Sequence, residues 1–145
     1  MARALVFLDA SVLVAASRSP NGGSAIALQA CQGVRFHAVV TERILTEARV
    51  NIAEKFGQTE LVRFYQQLAA LSPKVAGPPS DEHIHSCAQL TASKDVHVLA
   101  AALSSDAAYL LTLDRRHLLT PAILNAKPPF EVMTPGDFLR AITGE

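Results

Sequence analysis

The chain has no net charge to attract a polyanion. Its 145 residues carry 13 basic and 13 acidic side chains, so any grip on nucleic acid must come from a local basic patch or a bound cation. Only two cysteines occur, Cys31 and Cys87, and their spacing is not that of a paired motif. Two buried, reduced thiols are the simpler expectation, with a single bridge left open. No run approaches the ~18 uninterrupted apolar residues of a membrane span, and no charged, apolar and small-residue succession marks a secretory signal. A cytoplasmic protein that does not enter the membrane is expected. Repeats and low-complexity tracts are absent, and Gly22-Gly23 lacks the Gly-Lys-Ser/Thr continuation of a phosphate cradle.

Apolar residues, by contrast, are plentiful. Half the chain is hydrophobic and the mean hydropathy is +0.23. One domain over 1–145 is expected, large enough to bury about 70% of its extended-chain surface. Residues 3–8 form an apolar run of the kind that parallel sheets bury on both faces. A short helix over 11–17 and another over 24–32 should follow, the latter ended by Gly33. A strand is expected over 34–40, then helices over 42–56 and 59–71 with Thr41 as the first N-cap. A proline-rich connector at 73–79 holds at most a very short strand. Helices over 81–92 and 96–104, a strand from Tyr109 to Leu113, a strand over 130–133 and a helix opened by Thr134-Pro135 complete the pattern. This alternation argues an α/β fold with a central parallel sheet and right-handed crossovers.

Four acids stand where these elements begin, end or border the core. Asp9 ends the first apolar run and Asp114 follows Leu110-Leu111-Thr112-Leu113. Open α/β sheets place their working groups outside the carboxyl ends of the strands. Glu47 falls about 60° outside the apolar arc of its helix, at the border of core and surface. Asp95 sits in the first turn of a helix, after a Ser93 cap. Taken singly, each has an ordinary explanation as cap, turn or surface acid. Gathered together, four carboxylates repel and raise one another's pKa. A divalent cation would relieve that repulsion, since Mg²⁺ and Mn²⁺ prefer oxygen ligands. It would also supply what phosphodiester hydrolysis needs: an activated water and positive charge beside the leaving oxygen.

Other strand-end aspartate folds fit less well. A haloacid-dehalogenase-like phosphatase would want a second Asp at the place of Ser11. A response-regulator receiver would want adjacent acids near the first strand and a late strand-end Lys.

The segments Leu-Asp-Ala-Ser-Val-Leu-Val (8–14), Thr-Glu-Arg-Ile-Leu-Thr-Glu-Ala (41–48), Lys-Asp-Val-His-Val-Leu-Ala-Ala-Ala-Leu (94–103), Leu-Leu-Thr-Leu-Asp-Arg-Arg-His-Leu-Leu (110–119) and Val-Met-Thr-Pro-Gly-Asp-Phe-Leu (132–139) resemble a PIN domain, in particular the VapC-like toxin ribonucleases of toxin–antitoxin systems. The resemblance implies a three-layer α/β/α fold with a central parallel sheet in strand order 3-2-1-4-5. It also implies an endoribonuclease that cuts single-stranded RNA with Mg²⁺ or Mn²⁺ held by Asp9, Glu47, Asp95 and Asp114. Thr112 matches a supporting hydroxyl, and Ser11 stands where many members carry Asn. A homodimer and a cognate antitoxin are the partners it implies. A non-catalytic RNA- or protein-binding module on the same fold is the alternative.

Arg115, Arg116 and Arg43, with His117, Arg49 and Lys94, lie beside the acids in sequence and are candidates for gripping RNA phosphates. His83 and His85 diverge on a helix and lack further ligands for zinc. His97 is expected to pack beside the site, and Asp106 to serve a turn.

Overall fold

The computed structural model describes residues 3–144. Five strands and eight helices alternate along them. They run β1 (Ala4–Leu8), α1 (Ala10–Arg18), α2 (Gly23–Ala30), β2 (Phe36–Thr41), α3 (Glu42–Lys55), α4 (Gln58–Leu71), β3 (Lys74–Ala76), α5 (Asp81–Cys87), α6 (Val96–Ser104), β4 (Tyr109–Leu111), α7 (Pro121–Asn125), β5 (Glu131–Met133) and α8 (Pro135–Thr143). The sheet has the order β3-β2-β1-β4-β5, and every pairing is parallel. It is the three-layer α/β/α arrangement implied by the sequence resemblance. Helices α1 to α4 and α8 contact one another as one group, and α5 packs on α6 as another.

β1 is central because it is apolar on both faces: Val6, Phe7 and Leu8 are fully buried. Phe7 lies between Val39 of β2 and Leu110 of β4, and Leu8 aligns with Leu111. That register sets the residues just beyond the strands, Asp9 and Thr112, side by side, with the Asp9 amide donating to the Leu111 carbonyl at 3.1 Å. On α3, Ile44, Ala48 and Ile52 are buried while Glu47 is only partly covered, the border position read from its helical phase. At the opposite end of the sheet, the Phe138 ring of α8 meets Phe36 and Tyr109 edge-on, each at 5.2 Å.

Element ends depart from expectation in several places, and β4 stops at Leu111 rather than running on to Leu113. β2 starts at Phe36, not Val34, because its ladder with β1 begins at the Ala4–Phe36 pair; Val34 is left 87% exposed. α2 ends at Ala30 with Cys31 as its C-cap, so Gly33 does not cap it. α5 stops at Cys87 rather than running to 92, and the turn that follows is pinned where the Thr91 hydroxyl donates to the His117 carbonyl at 2.6 Å. Ser93 caps nothing: residues Ser93–Asp95 make one 3₁₀ turn capped at Ala92 without a side-chain bond. The short helix α7 was not foreseen, although Thr120-Pro121 carries the same opening signal as Thr134-Pro135. Asp106 does occupy a turn, at φ 58°.

Both thiols are free and buried. Burial pushes Cys31 from an ordinary value of 9.0 up to about 12, and burial likewise raises Cys87. A thiol whose folded value is raised contributes stability that is complete below the unfolded value and lost as pH climbs through the folded one. Stability should therefore decline from pH 9.0 toward about 12, and a thiol reagent near pH ~8 should label neither cysteine until the chain is unfolded. Rapid labelling of native protein would contradict the packing. Leu110→Ala, at the buried centre of β4, should cost about 2–5 kcal/mol in urea unfolding.

Candidate functional site

Asp9 caps a helix and is a candidate site residue. Its Oδ1 accepts the Ala10 amide at 2.9 Å, closing the N-terminus of α1. Its Oδ2 accepts two hydroxyls, Ser11 Oγ at 2.8 Å and Thr112 Oγ1 at 2.7 Å. Those hydroxyls accept in turn: Leu113 N–H reaches Ser11 Oγ at 3.0 Å, and Asp114 N–H reaches Thr112 Oγ1 at 3.0 Å. The chain leaving β4 is thereby tied to the chain leaving β1. Ser11 reaches both an acid and a backbone amide, which shows how a serine can serve at this position.

Asp114 is fixed by the turn it begins. Its Oδ1 accepts the amides of Arg116 at 3.0 Å and His117 at 2.9 Å, leaving Oδ2 toward the His117 ring, 3.5 Å from Nδ1. Asp95 completes the group from the 3₁₀ turn before α6. It makes no capping bond, and its Oδ2 is buried without a hydrogen-bond partner among the described residues; His117 Nδ1 lies 3.4 Å away, not aligned for a hydrogen bond. One ligand atom each from Asp95, Asp114 and His117 lie within 4.8 Å of one another. Burial, then the charges of Asp114 and Asp9, hold the Asp95 carboxyl above its ordinary value against the pull of Lys94 and His117.

Glu47 stands to one side. Its Oε1 is 3.0 Å from His97 Nε2 and 3.5 Å from Arg43 Nε, and His97 in turn lies close enough to Asp9 and Asp95 to feel their charge. His97 is buried, packed beside the site as its sequence position indicated. Burial lowers its pKa, opposed by Glu47, Asp9 and Asp95. Arg43 is thus engaged by an acid, while Arg115 and Arg116 are exposed and make no ion pair with the site acids among the described residues. His117 is the member that the sequence reading left on the rim. The signal was its place three residues after Asp114, where a turn brings ring and carboxylate together.

This donor set fits a hard divalent cation. Carboxylates dominate it, and one buried oxygen, Asp95 Oδ2, has no hydrogen bond to satisfy it. Burial of Asp95, with repulsion from Asp114 and Asp9, has a measurable consequence in chelated protein. A carboxyl raised above its ordinary 3.8 favours folding fully below that value and loses that contribution as pH rises through the folded value. In EDTA, Asp95→Asn should therefore raise the thermal midpoint near neutral pH, with the gain vanishing below 3.8. A lower midpoint at neutral pH would contradict a raised Asp95 carboxyl.

No curated protein sequence matches the chain significantly. Among solved structures, a chain of VapBC2 from Rickettsia felis, crystallised bound to a DNA fragment from their promoter, superposes with a TM-score of 0.66. It is 11% identical, with 88% of this chain and 96% of that chain covered, and the likeness is one of fold. The family model described as PIN domain matches residues 5–116, from the first strand to the turn after Asp114. That span carries all four acids, and the chain belongs to the PIN domain family.

Proposed function

We propose that the protein is a metal-dependent endoribonuclease that hydrolyses phosphodiester bonds of single-stranded RNA, as the toxin of a toxin–antitoxin pair. The observation that carries this reading is the unpartnered, buried Asp95 oxygen beside Asp114, at the sheet edge where Asp9 is held. Asp9, Asp95 and Asp114 would hold Mg²⁺ or Mn²⁺, with Glu47 assisting directly or through water. When bound, such a cation supplies an activated water and positive charge beside the leaving oxygen.

The chain's own residues account for the rest. Ser11 and Thr112 fix the rotamer of Asp9 by holding Oδ2, as outer hydroxyls do for metal-ligating carboxylates. The amides of Arg116 and His117 do the same for Asp114. Arg115 and Arg116 extend from the turn that begins with Asp114 and are free to reach RNA phosphates. Arg43, tied to Glu47, would reach them only by sharing that partner. With no net charge to steer the substrate, binding depends on this local arrangement.

Family membership supports the nuclease reading, and the fold likeness to a chain of VapBC2 supports an antitoxin partner. Tyr65 and Val62 on α4, 50% and 45% exposed, offer apolar area for a homodimer. No helix among the described residues is long and apolar enough to cross a membrane, in keeping with action on RNA in the cytoplasm.

The test is cleavage of labelled single-stranded RNA in Mg²⁺ or Mn²⁺. Asp9→Asn and Asp114→Asn should each reduce the rate by at least ~100-fold, and Thr112→Val by about 10–100-fold. EDTA should abolish cutting. Undiminished cleavage by the aspartate variants would remove the proposed site.

A further inference from the structure

A concavity of about 630 Å³ opens beside Glu47, between the start of α3, the connector after β3 and the start of α5. Its size is that of a small-molecule site. Arg43 and His97 line it and both contact Glu47, while His97 also lies close enough to Asp9 and Asp95 to feel their charge, so His97 stands between the cavity and the acids. We propose that this concavity receives a single unstacked nucleobase of the RNA strand whose phosphate lies at the acids. The proposal rests on the nuclease reading above.

Three features favour a base. Val75 and Ile84, 48% and 39% exposed, give the cavity an apolar surface suited to the face of a ring. The Arg43 guanidinium, its side chain 63% exposed, is a plane on which a base can stack. Glu42 and Asp81 also line the space. They repel a phosphate but accept hydrogen bonds from an exocyclic amino group, as acids do from cytosine N4. The backbone would therefore stay outside at the acids while the base turns inward, and amino-bearing bases would be favoured over uracil. A duplex keeps its bases stacked and could not use the cavity.

Gly77 lines the same space, and a Cβ added there would meet no atom within 4 Å, so Gly77→Trp can fill the cavity without a clash at its own backbone. The probes are fluorescein-labelled twelve-nucleotide strands of oligocytidylate, oligouridylate and an all-abasic ribose–phosphate chain, followed by anisotropy in Ca²⁺. Wild type should bind oligocytidylate at least ~10-fold more tightly than the abasic strand and about 3-fold more tightly than oligouridylate. Gly77→Trp should bring oligocytidylate down to the abasic affinity and leave abasic binding unchanged. Ile84→Ala, at a position 39% exposed, should lose about 3-fold on base-bearing strands alone. Equal affinity of wild type for abasic and base-bearing strands would overturn the proposal. So would a base preference that survives Gly77→Trp, which would leave the cavity to a protein side chain. The two readings fail separately: base preference without cleavage sinks the nuclease, and cleavage without base preference sinks the subsite.

Discussion

Two hydroxyls bonded to one carboxylate oxygen hold this site together. Ser11 and Thr112 both donate to Asp9 Oδ2, and each takes an amide from the segment leaving β4. Those bonds exist because Leu8 and Leu111 are register partners in the parallel ladder. A slip of one residue would turn Thr112 to the opposite face of the sheet and strand Asp9. The buried aliphatic pairing of β1 with β4 is therefore what positions the polar chemistry. Asp114 is tied to Thr112 through its amide and fixed by the turn that it begins.

Electrostatics at the edge follows from this geometry. A chain of zero net charge has brought Asp95 and Asp114 together, with Asp9 near enough to act on Asp95, and set His117 and Lys94 against them. The compensation is incomplete: Asp95 remains raised and one of its oxygens has no hydrogen bond. Structural ion pairs normally satisfy both members, because an unpaired buried charge is costly. A cluster that leaves this debt fits a site completed by a cation. Glu47 contacts His97 and Arg43, and both of those side chains also line the concavity.

The sheet was readable because its strands are continuous apolar runs, and parallel strands buried on both faces leave that mark. Asp9 and Glu47 were readable as strand-end and helix-border positions, whereas Asp95 lies in a 3₁₀ turn before α6 and Asp114 three residues beyond β4. Local readings that rested on one residue fared worse. Gly33 and Ser93 were assigned caps on identity alone, and tertiary pairing placed the helix ends elsewhere. α7, with five residues, is too short to show a period. The distance between Asp95 and His117 depends on how the 3₁₀ turn meets the loop after β4, which no local pattern encodes. The concavity beside Glu47 was equally hidden, since it is formed by elements from three separate stretches of chain.

The account centres on a cation held by Asp9, Asp95 and Asp114. Anomalous diffraction from crystals soaked in Mn²⁺ tests it most directly. A peak within coordination distance of carboxylate oxygens from these aspartates, absent in Asp95→Asn crystals, is the expected result. Density for manganese only at other surfaces, or no anomalous peak at the sheet edge, would contradict it.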